Sequence, residues 1–102
     1  MRHRDETSLV GWYFQSFAHY APGITKVEWQ GRVIGRPEPG WYLVQLCTEP
    51  DKSATRIELI KFERMSHWQF YPDVDAMKDA YEKIKAQEKE GLQFLRARYL
   101  GI

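Results

Sequence analysis

Residues 26–47 read KVEWQGRVIGRPEPGWYLVQLC, and this stretch decides the fold. From Val27 to Val33, apolar residues and one glycine alternate with polar residues, which is typical of a strand with one buried face. The prolines and glycine of residues 36–40 restrict the backbone to a stiff turn. Residues 41–47 are apolar on both faces, as in an interior strand. The stretch therefore predicts an antiparallel hairpin whose second strand lies centrally in a sheet, with a bend or bulge at Gly31.

Three further short runs extend this hairpin into a sheet. Residues 9–17, 56–62 and 67–71 are rich in β-branched and aromatic residues and are separated by turn-forming segments. They predict a first strand, a fourth strand and a short fifth strand at an edge. The fifth strand is reached through a turn at residues 63–66, for which a single helical turn is the alternative. The chain before Pro72 is therefore expected to form a five-stranded antiparallel β structure.

The pattern becomes helical after Pro72. Asp73 can cap a helix that begins at Val74, and apolar residues then recur at helical spacing as far as Ile84. Residues 85–90 are almost wholly polar and Gly91 is a natural stop or kink, so a short second helical piece is expected after it. The predicted fold class is mainly β with a C-terminal helix (α+β). We expect a single domain over residues 1–102, with a barrel in 1–71 and a helical extension in 72–102.

Two of the strands resemble those of a known class of small barrels. The sequences WQGRVI (29–34) and PGWYLVQL (39–46) are similar to the Gly-x-Val strand and the following Tyr-x-Val strand of SH3-like barrels of the Tudor, chromo-like and KOW kind. The resemblance covers about residues 9–71, and the C-terminal helical segment lies outside it. It implies a five-stranded SH3-like barrel that serves as a recognition platform, and some members hold methylated lysine or arginine in an aromatic cage.

Composition and charge limit the classes of protein. The chain has 102 residues, of which 43% are hydrophobic, so it has material for one packed core. Fifteen Lys and Arg against fourteen Asp and Glu give a formal charge of +1, which provides no strong attraction to nucleic acid or anionic membranes. The N-terminal residues do not resemble a signal peptide, no apolar run could span a bilayer, and Cys47 is the only cysteine. We expect a cytoplasmic protein without membrane association.

Catalytic and metal-binding motifs are missing from the sequence. Phosphate-binding glycine loops, the Gly-x-Ser-x-Gly elbow and the His-Glu-x-x-His pair are all absent. The histidines, His3, His19 and His67, are far apart, and no second cysteine completes a zinc set. We therefore expect no enzymatic activity, no metal and no cofactor.

The distribution of large apolar side chains predicts a binding surface. Strands one, three and four carry them on both faces, whereas the interior of a small barrel accepts only one face of each strand. The helix can cover part of the outside, and the remaining aromatic patch would mark an interface. The candidate site residues are Trp12, Tyr20, Trp29, Trp41 and Trp68, together with Arg32 and Arg36 near the end of the second strand.

These residues predict a small binding protein that associates stoichiometrically with another protein, as an adaptor or as an inhibitor of a host complex. The alternative is a nucleic-acid-binding barrel, in which Arg32 and Arg36 contact phosphates and bases stack on Trp or Tyr. Acidic residues interspersed along the same strands disfavour that alternative. A homodimer is also expected, because Leu92, Leu95 and Tyr99 form an apolar stripe in the C-terminal segment.

Overall fold

The computed structural model describes residues 9–21, 24–50 and 52–100. The elements are β1 (Tyr13–Ala21), β2 (Ile24–Glu38), β3 (Trp41–Leu46), β4 (Arg56–Lys61), a short 3₁₀ helix (Phe62–Met65), β5 (Gln69–Tyr71) and α1 (Val74–Leu100). The strands form one five-stranded antiparallel sheet, so the predicted class, mainly β with a C-terminal helix, is confirmed.

The strand order is β4-β3-β2-β1-β5, which places β3 between two neighbours as predicted. The chain passes from one edge strand, β4, to the other, β5, through the 3₁₀ helix, so the helical turn was the correct alternative for this connection. Because Ile60 of β4 and Phe70 of β5 pack into the same core cluster, the sheet curls around one inner face.

The inner face of the sheet forms the core. Phe14, Val33, Tyr42 and Val44 are all completely buried, and they come from β1, β2 and β3. Phe14 also stacks on Trp68, with the ring centroids 4.4 Å apart. Complete burial of each such side chain contributes roughly 1.5–3 kcal/mol, so this cluster holds the curled sheet together.

The N-terminal strand begins and ends later than residues 9–17, the prediction from sequence. Gly11 has a φ of 94°, which interrupts extended backbone, and Leu9 is buried in the turn before it. β1 then continues to Ala21 because β2, which begins at Ile24, supplies its hydrogen-bonding partners. The Pro22-Gly23 turn predicted from the sequence lies outside the described residues.

Gly31 lies in regularly paired backbone, so the predicted bulge is not at this residue. The register of β2 shifts at Glu28 and near Ile34 instead. Gly31 is needed for a different reason, because a Cβ at this position would overlap the backbone carbonyl oxygen of Gln45 on β3. The glycine therefore permits a close approach of two strands.

The helix begins where the sequence predicts and continues further. The Oδ1 atom of Asp73 accepts a hydrogen bond of 2.8 Å from the amide of Ala76, which confirms the predicted cap. The predicted break at Gly91 is wrong, since α1 runs unbroken for 27 residues. A glycine costs a helix interior only about 1 kcal/mol relative to alanine, and strong helix formers flank this one. No helix in the described part of the chain is long and apolar enough to cross a membrane.

Candidate functional site

The helix covers only part of the outer face of the sheet. Tyr13, Arg32, Gln45 and Ile57 lie opposite one another in a row across β1–β4, so their side chains share this face. Gln15, two residues after Tyr13, donates a 3.3 Å hydrogen bond to the carbonyl of Met77, which places the helix on the same face. The helix packs against β1, β2 and β5. The outer face of β3 and β4 lies beside it.

The outer face of β3 and β4 carries an apolar patch, which we call the β3–β4 surface: Trp41, Leu43, Ile57 and Leu59. Ile57 is 55% exposed and Leu59 is 50% exposed, although both are aliphatic residues within a strand. Leu43 lies directly opposite Leu59, and Trp41 lies opposite Lys61. An apolar patch left on the outside of a small domain typically marks an interaction site.

Trp41 and Lys61 form the end of the β3–β4 surface near the hairpin turn. The Nζ atom of Lys61 lies 5.4 Å from the centroid of the Trp41 ring. This cation–π contact orients the half-buried indole and places a positive charge beside the apolar patch. The surface therefore combines an aromatic anchor, aliphatic side chains and one cation.

The tryptophans predicted as site residues are divided between core and surface. Trp68 packs on the core through its stack with Phe14. Trp29 packs against the same core from the inner face, and the guanidinium carbon of Arg56 lies 5.5 Å from its ring centroid. Trp12 is half-buried just before β1. Only Trp41 belongs to the β3–β4 surface.

The remaining predicted site residues lie elsewhere on the molecule. Arg32 is on the outer face, with its guanidinium carbon 5.5 Å from the ring centroid of Tyr13. Tyr20 is 69% exposed near the end of β1, beside Lys26. Arg36 is half-buried in the last part of β2. The structure therefore does not bring the seven predicted residues into one site.

The sequence pattern contained a signal for the aliphatic residues that the prediction omitted. In β4, Ile57 and Leu59 lie on one face of the strand and Ile60 lies on the other, so both faces of this short strand carry apolar residues. Ile60 is buried in the core, and the alternation then directs the other two outward. Choosing candidates by aromatic character alone missed them.

A cleft of about 400 Å³ lies between α1, β2 and the β3–β4 connection. The charged groups in its wall are Lys26, Glu28, Arg56, Lys85 and Glu88. The Nζ atoms of Lys26 and Lys85 lie 3.2 Å and 3.4 Å from the carboxylate oxygens of Glu88. Burial opposes ionisation of Glu88, but the hydrogen bonds and charges of these two lysines outweigh it and lower the pKa of the carboxyl. The Lys26–Glu88 ion pair fastens the helix to β2, and Lys85 supports the same carboxylate from within the helix.

Buried glutamines connect the helix to the sheet. Gln15 and Gln30 are almost completely buried, and Gln15 donates from Nε2 to the Oε1 atom of Gln30 at 3.0 Å. The hydroxyl of Tyr71 donates to Oε1 of Gln15 at 2.8 Å, and burial raises the pKa of Tyr71. Gln30 in turn donates to the carbonyl of Thr48 at 3.0 Å. Because each amide has partners within the fold, this network acts as a structural connection.

Within residues 9–21, 24–50 and 52–100, no three His, Cys, Asp or Glu side chains come together in a way that would hold a metal ion. The side chain of His19 forms a local hydrogen bond, with its Nδ1 atom 2.9 Å from the hydroxyl oxygen of Thr25. The absence of a metal and a cofactor stays a prediction from the sequence.

Comparison of the chain with known protein families, curated proteins and solved structures gave no match. The resemblance to SH3-like barrels therefore stays a prediction from the two strand motifs.

Proposed function

We propose that this is a non-enzymatic binding protein that associates stoichiometrically with another protein through the β3–β4 surface. The observation that carries the proposal is the exposure of Ile57 and Leu59, next to Leu43 and Trp41, on a sheet face that the helix only partly covers. Burying one aliphatic side chain of this size stabilises a complex by up to roughly 1.5–3 kcal/mol. A patch of this composition can form an interface with another protein from which water is excluded.

Trp41 supports the proposal through its position at the end of the patch. Tryptophan is enriched among the residues that carry most of the binding energy at protein interfaces, because it buries a large area and has few torsions to restrict. Lys61, held beside it, provides a charge at the rim that selects an acidic group on the partner. An adaptor and an inhibitor would both use such a surface, and the effect on the partner's activity separates them.

The nucleic-acid alternative receives less support from the geometry. Arg32 and Trp29 lie on opposite faces of the sheet, so they do not form one surface on which a strand could be held and stacked. Arg56, which is next to Trp29, forms an ion pair with Glu58 at 3.3 Å. Association through phosphates would require a uniformly basic track.

The test is affinity purification from the source cell with the tagged protein, with and without nuclease treatment and at low and moderate salt. We expect a stoichiometric protein partner with wild type, and at least about tenfold lower recovery with the double variant Ile57→Ser/Leu59→Ser, because about 2 kcal/mol of apolar contact is lost. Phe94→Ser is the matched control, since Phe94 is 62% exposed on the helix, away from this surface. Circular dichroism checks that each variant is folded.

Two results would contradict the proposal. One is equal recovery of the partner with wild type and the Ile57→Ser/Leu59→Ser variant. The other is recovery of nucleic acid alone, sensitive to salt and reduced by Arg32→Ala/Arg36→Ala, which would establish the alternative function.

A further inference from the structure

We infer that the partner binds as an extended strand, added antiparallel to the free edge of β4. This inference rests on the proposed function and specifies the kind of partner. On its other side, β4 pairs with β3 through an unbroken register from Arg56 to Lys61, and it stands at the end of the strand order. No described strand pairs with its outer edge.

The backbone of β4 offers hydrogen-bonding groups at that edge. The amide of Phe62 donates to the carbonyl of Gly40 at 2.9 Å, so residue 62 directs its backbone groups toward β3. In an antiparallel pair the inward and outward directions alternate along the strand. Residues 60, 58 and 56 therefore also face β3, whereas Ile57, Leu59 and Lys61 present their N–H and C=O groups outward.

The same three residues project their side chains onto the outer face. Ile57 and Leu59 belong to the β3–β4 surface, and Lys61 lies beside Trp41. A strand added here would gain main-chain hydrogen bonds and side-chain contacts from the same residues. This combination is the physical basis of recognition by strand addition, in which the backbone provides affinity and alternate side chains provide specificity.

The two edges of the sheet differ in how they are protected. Natural edge strands are usually short, covered, bulged or interrupted by proline. β5 is only three residues long and packs against α1. β4 has six residues, no proline and no bulge in its register with β3, and its outer face is apolar at two of three positions. Among the described strands, β4 is therefore the edge that is open to another chain.

The residues of β4 specify the chemistry of the incoming strand. An antiparallel partner, followed from its N-terminus, passes Lys61 first, then Leu59 and then Ile57. A carboxylate opposite Lys61 and β-branched apolar residues opposite Leu59 and Ile57 would complement the edge in both charge and packing. The expected motif is an acidic residue followed, at the second and fourth positions after it, by apolar residues.

A second copy of the chain fits this edge less well. A two-fold axis at Glu58 places Ile57 opposite Leu59 of the other copy, but it also places the two Glu58 side chains directly opposite each other. Like charges at that position are destabilising. An axis at Leu59 avoids that contact but places Ile57 opposite Lys61. Neither register satisfies both the charges and the apolar side chains, and an axis at Ile57 would pair only residues 56–58 of the strand. A different polypeptide is therefore the better occupant.

The test uses a capped peptide, Thr-Glu-Thr-Val-Thr-Val-Thr, and the full protein labelled with ¹⁵N. We expect binding at millimolar peptide concentration, with hydrogen exchange of the Ile57, Leu59 and Lys61 amides slowed at least about fivefold on saturation. The reversed peptide, Thr-Val-Thr-Val-Thr-Glu-Thr, has the same composition and should bind about threefold more weakly, because its glutamate no longer faces Lys61.

Leu59→Pro tests the backbone contribution, because it removes the N–H of residue 59 but keeps an apolar side chain there, whereas Leu59→Ser keeps the N–H and removes the apolar side chain. The N–H that is removed points away from β3, and proline is tolerated at such edge positions. We expect it to abolish peptide binding and to reduce recovery of the cellular partner at least about tenfold, and we expect a similar loss of the partner from Leu59→Ser. Amide exchange in the wild-type protein provides the same test if this variant does not fold.

Several results would overturn the inference. The first is the absence of peptide binding, and the second is binding without protection of the three amides. If Leu59→Ser loses the cellular partner while folded Leu59→Pro retains it, the proposed function stands and strand addition is wrong. A dimer in sedimentation that Leu59→Pro dissociates would assign the edge to a second copy of this chain.

Discussion

Gly31 fixes the spacing between β2 and β3 because its lack of a side chain lets the strands approach closely. A Cβ there would overlap the carbonyl oxygen of Gln45, which belongs to the backbone and cannot rotate away. We expect Gly31→Ala to lower the free energy of unfolding by about 2–4 kcal/mol, measured by urea denaturation.

Gly35→Ala is the matched control for this prediction. It lies on the same strand, and the nearest neighbour of its Cβ would be the Cδ1 atom of Leu43 at 3.9 Å, an ordinary contact. We expect this change to lower the free energy of unfolding by less than about 1 kcal/mol. If both variants lose the same free energy of unfolding, the close approach of β2 and β3 is not what requires a glycine at position 31.

At the scale of elements, Glu88 connects α1 to β2 through Lys26 and also pairs with Lys85 on its own helix. Its pKa is lowered in the folded protein, so the carboxylate stabilises the fold at pH values above its ordinary pKa of 4.5. This contribution is lost as the pH falls through the lower pKa of the folded state. Glu88→Gln should therefore be less stable than wild type at pH 7, and the difference should shrink below about pH 4.5.

The measurement is the urea midpoint of wild type and Glu88→Gln across this pH range. Glu82→Gln is the control, because Glu82 is an exposed residue of the same helix. Its midpoint should stay close to that of wild type at every pH. A wild-type advantage over Glu88→Gln that is independent of pH would contradict an electrostatic role for Glu88.

At the scale of the whole molecule, the C-terminal part of α1 carries exposed apolar side chains. Leu92 is 39% exposed and Phe94 is 62% exposed, and the molecule reaches 54 Å in its longest direction. The homodimer expected from the Leu92, Leu95 and Tyr99 stripe stays a prediction. We expect sedimentation velocity to show a concentration-dependent dimer, with its dissociation constant raised at least about tenfold by Leu92→Ser/Leu95→Ser.

Leu59→Ser serves as the control for self-association, because it alters the β3–β4 surface and leaves the helix unchanged. It should dimerise like wild type. A single monomeric species over a wide range of concentration would contradict the predicted homodimer and leave the exposed apolar side chains of the C-terminal part of α1 unexplained.

The sequence alone determined the features that depend on local chemistry. Of the turn predicted over residues 36–40, Pro39 and Gly40 form the connection and the earlier residues continue β2. Period-two alternation indicates β2, and Asp73 specifies where the helix begins. These signals act over a few residues, so they depend little on distant parts of the chain, whereas the length of β1 depends on its pairing with β2. The helical break at Gly91 failed because a local cost of about 1 kcal/mol is smaller than the preference of the flanking residues for a helix.

The tertiary structure alone decided which apolar residues remain on the surface. β3 and β4 are apolar on both faces, and the pattern cannot tell which face another element will cover. The helix packs on β1, β2 and β5, while Trp68 packs against Phe14 in the core. Ile57 and Leu59 remain exposed as a result. Exposure depends on contacts between segments distant in the chain, and no local spacing of residues encodes those contacts.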